Sequence, residues 1–138
     1  MTKSNIDIED ELYRIIRDSP LAEAISGDIY QGPDERPDGS KLEDIEIIVI
    51  ADQNADIQQA TISINIYVSD VTDNGKMRRN KPRLRELSRL GLDLFDGQLP
   101  INIDGYRITL ESQGTYPEHK VQQHYYNLKL NYSYHKTE

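Results

Sequence analysis

The sequence predicts an α+β fold, a mostly antiparallel sheet with two main helices packed on one face. Three observations carry this. Ile8, Leu12, Ile15 and Ile16 fall on one stripe at helical spacing near the start. From Ala60 to Val68, Ala60, Ile62, Ile64, Ile66 and Val68 alternate with Thr61, Ser63, Asn65 and Tyr67, the pattern of a strand with one face buried and one polar. A second helical stripe, Leu84, Leu87, Gly91, Leu94 and Phe95, comes next and is followed by further strand segments. Helix, strand hairpin, helix and strands in that order make an α+β chain rather than a doubly wound one. The 138 residues suit a single domain, 1–138. Only 36% of them are hydrophobic, so the core is drawn from few side chains.

Each element follows from local chemistry. Asn5 or Asp7 is the predicted cap of a first helix reaching about Asp18, with acids ahead of bases along it, as the helix dipole favours. Ser19-Pro20 restarts a short helical turn, Ser as N-cap and Pro at N1, which Gly27 ends; Leu21, Ala22 and Ile25 give it a small buried face. Asp28 to Tyr30 is extended but too short to stand alone. QGPDERPDGSK is a loop, rich in proline, glycine and charge. Ile45 to Ala51 is nearly continuous and β-branched, predicting a central strand or one covered on both faces. The polar turn DQNADIQ joins it to the alternating run as a hairpin.

SDVTDNGKMRRNK reads as a second loop, acidic first and basic after. Gln31 to Leu42 and Ser69 to Asn80 lack apolar anchors, so both are expected to be mobile in an isolated subunit. Pro82 sits at a helix N1, and Gly97 stops that helix. Gly91 on its buried face costs about 1 kcal/mol against Ala, tolerable where the helix lies close on a sheet. Ile101 to Ile103, a turn at Asp104-Gly105 and Tyr106 to Glu111 form a second hairpin. The closing strand, about Val121 to Tyr134, puts Tyr126, Leu128, Leu130, Tyr132 and Tyr134 on one face. Tyr125, Asn127, Lys129, Asn131 and Ser133 take the other. The expected core joins Leu12, Ile16, Ile62, Ile64, Ile66, Leu87 and Leu94.

Composition excludes more than it selects. A formal charge of −8 makes a poor grip on nucleic acid, whose affinity comes from Lys and Arg displacing counterions. The absence of cysteine removes disulfides, thiolate metal sites and thiol nucleophiles. No apolar run approaches the roughly 20 residues of a membrane span, and the first residues have no signal-peptide core, so a cytoplasmic setting is expected. Phosphate-cradling glycine loops, HExxH and GxSxG are absent. His119 and His124 are predicted on opposite strand faces, a poor arrangement for sharing a metal. Asp44 with Glu46, and Asp52 with Asp56, are candidate carboxylate pairs, and a nuclease-like reading would join Pro37-Asp38 to Glu118-His119-Lys120. A solvated acidic surface accounts for these acids more simply. The expectation is therefore a chain without catalytic, cofactor-binding or metal-binding residues.

Two surface features remain. Lys76, Arg78, Arg79, Lys81, Arg83 and Arg85 gather positive charge at a helix N-terminus, where the dipole disfavours it, and so suggest an acidic partner surface. In an acidic chain, that surface can be the DERPD loop of another copy, with Asp34, Glu35 and Asp38 as candidate contacts for Arg78, Arg79 and Lys81. Tyr125, on the mostly polar strand face, is a further candidate contact residue.

The segments ELYRIIRDSPLAEAISGDIY, GPDERPDG, PRLRELSRLGLDLF and EHKVQQHYYNLKLNY occur in an order that resembles the tail-completion, or tail-terminator, proteins of long-tailed phages and related prophage proteins. The likeness runs over about residues 9 to 134 and is strongest in LAEAISGDIYQGP. The loop before Ile45 and the MRRNKPR stretch depart from that pattern. The resemblance implies a structural subunit of a head–tail joining ring, typically hexameric, that caps the tail tube and joins it to the head. It implies as partners other copies of the chain, a tail-tube protein and a head–tail connector protein, with no sequence-specific nucleic acid and no membrane. It implies a place in the virion tail, reached from the host cytoplasm. A folded chain of this length has a radius of gyration of about 14 Å, and six touching spheres of that size leave a hole wide enough for duplex DNA. The alternative is a small α+β protein-interaction module without catalytic activity; a metal-dependent hydrolase using the acidic loops stands third.

Overall fold

The computed structural model describes residues 2–96, 101–103 and 105–135. Helix α1 (Asn5–Arg17) is capped by Ser4 rather than Asn5 or Asp7. Its hydroxyl accepts the Asp7 N–H at 3.0 Å, while the Asp7 carboxylate accepts the Ser4 N–H at 2.9 Å, a reciprocal capping box. Ile8, Leu12 and Ile16 are fully buried, with Ile15 packed at their edge. Helix α2 (Pro20–Ala24) starts at Pro20 as expected but ends well before Gly27. The Ser19 hydroxyl does not cap it and donates instead to the Ile16 carbonyl at 2.6 Å. Gly27 serves a different purpose: a Cβ there would lie 2.0 Å from the Asp44 Oδ1.

The main sheet has the order β1-β2-β3-β8-β7-β6. Its strands are β1 (Ile29–Gln31), β2 (Ile45–Gln53), β3 (Ile57–Ser69), β6 (Ile101–Ile103), β7 (Tyr106–Glu118) and β8 (Gln123–His135). Only β1, parallel to β2, breaks the antiparallel pattern. Helix α3 (Lys81–Phe95) presents Gly91 to Ile66 and Leu128, and Glu11 of α1 accepts the hydroxyl of Tyr132 at 2.6 Å. Those sheet residues share one face, so both main helices cover the same side. Between them lies a core of Ile45, Ile47, Ile62, Ile64, Ile66, Leu128, Leu130 and Tyr132 from the sheet and Leu12, Ile16, Leu21 and Leu87 from the helices. A Cβ at Gly91 would sit 3.0 Å from Leu128 Cδ1, so the glycine lets α3 lie close.

Several expectations are corrected. Leu94 is half-buried; Leu84, Leu87, Gly91 and Phe95 form the seam. Strand β2 is an inner strand only from Ile45 to Ile47, where β1 flanks it, and it is not covered on both faces, since Ile45 and Ile47 are buried while Glu46 and Ile48 are half-buried. Its register shifts between Val49 and Ala51, leaving Ile50 at 56% exposure. The second loop contains a two-stranded ribbon, β4 (Val71–Asp73) and β5 (Lys76–Arg78), closed by Asn74 and Gly75, both at positive φ. Strand β7 does not stop at Glu111: a register shift between Leu110 and Ser112 absorbs the break, and pairing with β8 continues to Glu118. Asp104 and the stop at Gly97 lie outside the described residues.

Lys3, just ahead of α1, is fastened to the sheet. Lys3 exchanges backbone hydrogen bonds with the buried Gln58 side chain at 2.9 and 2.7 Å. Its ammonium sits 4.0 Å from the ring centre of Tyr134 and 4.8 Å from that of Tyr106, paired to Glu11. Burial and then the Glu11 carboxylate raise the Tyr132 hydroxyl far above the usual phenol range.

Candidate functional site

The chemistry-bearing surface gathers at one end of the sheet, where β2 and β8 begin and β3 and β7 finish. The loop from Gly32 to Asp44 closes over the uncovered sheet face there. The Ser69 hydroxyl donates to the Lys41 carbonyl at 2.9 Å, the Gln123 amide to the Leu42 carbonyl at 3.2 Å, and Arg36 makes the central anchor. Arg36, 10% exposed, pairs with the fully buried Asp44 at 2.8 Å. It also donates to the Ser40 carbonyl (3.1 Å) and to Gln123 Oε1 (2.7 Å), and its guanidinium lies 3.7 Å from the Tyr67 ring centre. Asp44 also accepts the Ser40 hydroxyl at 2.6 Å and the Asp28 N–H at 3.0 Å. The loop thus has a polar anchor where no apolar one exists, a feature its composition does not reveal.

Asp34, Glu35 and Asp38 project from this loop, exposed, and form no ion pair among the described residues. Asp34 is at φ 69°, in the left-handed region. Asp34 and Asp38 line a recess with Glu46, Tyr67, Glu118 and Lys120. The fold therefore does bring Pro37-Asp38 to Glu118 and Lys120, some eighty residues on in the sequence. Glu46 is already engaged, accepting the Tyr67 hydroxyl and, at 3.4 Å, the Asn65 amide. No group of three or more His, Asp or Glu side chains placed to hold a metal ion occurs among the described residues. Of the other acids, Asp44 is buried in the Arg36 network, and Asp52 accepts the Gln58 amide at 2.7 Å at the far end of the sheet.

The basic stretch divides into two parts. Lys76, Arg78, Arg79, Lys81 and Arg85 are exposed, and the Arg78 approach to Asp73, 3.7 Å, is a loose surface pair. Arg83 is not part of the contact patch. It binds Glu43 through two nitrogens at 2.7 and 2.8 Å, reaches Glu86 at 2.9 Å and caps the Ala24 carbonyl, tying α3 to α2. Its guanidinium pKa is raised, first by the Glu43 hydrogen bonds. Asn80 caps α3, its side chain accepting the Arg83 N–H at 3.2 Å. Arg79 and Lys81 line a shallow recess with Leu84, Ser88, Thr115 and Tyr126. That places them on the helix-covered side, whereas Asp34 and Asp38 border Tyr67 on the uncovered side.

Tyr125 is half-buried in a row of rings across the uncovered face, 5.3 Å from Tyr67 and 5.6 Å from Tyr116. Burial first, and Glu118 next, raise its hydroxyl pKa. Beside this row, the Asn127 amide donates to Ser63 (2.5 Å) and Asn65 (2.7 Å), which explains why those polar side chains are nearly buried on an uncovered face. His124 joins Asp70 at 2.6 Å at the root of the β4–β5 ribbon, and His119 begins a 3-10 turn (His119–Val121) instead of lying on a strand face. No helix is long and apolar enough to cross a membrane among the described residues. No protein-family model matches this chain, and no curated protein matches it either.

Proposed function

We propose that the chain is a structural subunit that associates head-to-tail with its own copies into a ring, as the tail-terminator proteins it resembles do, capping a phage tail tube and joining it to the head. Its work is architectural, without catalytic chemistry, and its further partners are the tube protein and the connector protein. A closed heterologous ring needs two different surfaces that complement each other. The observation that carries the reading is the pair of exposed patches at one end of the sheet. Arg79 and Lys81, with Arg78 just before them, lead onto the helix-covered side, and Asp34 and Asp38 stand on the uncovered side, while Glu35 lies toward Glu9 of α1. Placed on opposite faces, the two charges are free to meet on neighbouring copies. A net charge of −8 per copy gives such a ring an acidic character that repels passing DNA rather than trapping it.

Sedimentation at high protein concentration, with and without tube protein, tests this. Wild type is expected to form a ring that raised salt weakens, because exposed charge pairs are screened. Arg78→Glu with Arg79→Glu should lose most of it, and adding Asp34→Lys with Glu35→Lys should restore part. If wild type forms no ring even on the tube protein, the interaction-module alternative becomes the better account.

A further inference from the structure

Strand β7 has an open edge. Strand β6 pairs only with Tyr106 to Ile108, so from Ser112 to Glu118 the described residues place no strand on the outer side of β7. Pro117 lies opposite His124 and has no N–H to give the ladder. The ladder bonds there fall to its neighbours, and the alternation of an antiparallel pair turns the backbone groups of Gln113 and Thr115 outward. Between the irregularity near Glu111 and the stop at Pro117, this is a regular, unpaired stretch of the kind that accepts an added strand.

The ribbon β4–β5 has the opposite need. It is a two-stranded sheet of its own, with all six strand residues exposed, including Val71 at 42% and Met77 at 44%. An isolated hairpin of that size is marginal in water, so a further strand is what it lacks. It is nevertheless pre-formed: its turn residues have the left-handed backbone a tight hairpin requires, and Asp70 at its root bonds to His124 and to the Gln122 carbonyl (2.9 Å). Charge fits as well. The ribbon brings Lys76 and Arg78, with Arg79 after them. The open stretch of β7 ends at Glu118, which shares its recess with Asp34 and Asp38.

We propose that the open β7 edge, Ser112 to Pro117, takes up the β4–β5 ribbon of a second copy as an added strand pair. The inference rests on the self-association read above and says which backbone carries it. Main-chain bonds to Gln113 and Thr115 supply the register, and the acids beside Glu118 receive the basic side chains.

The chain has no cysteine, so engineered thiols report cleanly. Met77→Cys and Ser112→Cys, made as separate proteins, are mixed with a short bismaleimide under assembling conditions. The expected product is a mixed dimer that exceeds either protein alone. Thr115→Pro removes one outward N–H while leaving the ladder to β8, and should weaken association roughly tenfold with the monomer's circular dichroism unchanged. If wild type assembles but no mixed cross-link forms and Thr115→Pro associates normally, edge addition is wrong while the ring reading survives. A chain carrying both cysteines that cross-links only as far as a dimer supports edge addition and overturns the ring. Failure to cross-link or associate under any condition overturns both.

Discussion

Arg36 has the largest consequences of any single side chain near the candidate surface. Removing it leaves the Asp44 carboxylate fully buried without its cationic partner. Breaking a buried pair in this way costs about 3–5 kcal/mol, so Arg36→Ala should show that loss in urea unfolding. Glu9 tests the opposite case. It is nearly buried on α1, and burial first, then Asp10 and Glu35, raises its pKa. A carboxyl whose folded value is raised holds its proton more tightly in the native state. Its contribution is therefore fully favourable below its unfolded value and is lost as pH rises through the folded one. Glu9→Gln should raise the melting temperature at pH 7, with the gain shrinking as pH falls through that raised value. An equal gain at pH 7 and at pH 3 would contradict this account.

At the scale of elements, the two loops behave differently. The Gly32 N–H reaches the Ile47 carbonyl at 2.7 Å, and Arg36 holds the rest of its loop, whereas the ribbon touches little beyond its root. In hydrogen exchange of the isolated subunit, the amides of Gly32 and Ser40 should be protected, and in Arg36→Ala the protection should vanish at Ser40 while Gly32 keeps its bond to Ile47. Ribbon amides should exchange quickly in the monomer and slow on assembly. Equal, rapid exchange of both loops would remove the polar anchor from the argument. The helices and β3 were legible in the sequence because their apolar periods are long and uninterrupted. Strands β7 and β8 were each legible only in part, and their pairing with one another was not. Gly114 and Pro117 are residues that interrupt a central strand but that an unpaired edge tolerates, and the irregularity near Glu111 shifts the alternation. The β4–β5 ribbon was hidden because its strands are short and carry no alternation, its one readable signal being Asn74-Gly75.

For the molecule as a whole, what sequence could not convey was which distant charges meet. The basic run looked uniform, yet Arg83 is consumed in joining α2 to α3 while Lys76, Arg78, Arg79, Lys81 and Arg85 stay exposed. Asp34, Glu35 and Asp38 were legible as exposed acids. Their neighbourhood with Glu118 was not, because it depends on β7 and β8 returning to the end from which the loop departs. The opposite end of the sheet has its own order. Lys3 is fastened there between Tyr106 and Tyr134, and β8 finishes beside it at His135. Lys3 and His135 thus both lie on the side away from both charged patches. A fluorescent reporter fused ahead of Thr2 or beyond His135 starts from that remote side, so it can signal the meeting of two copies by energy transfer without standing between them.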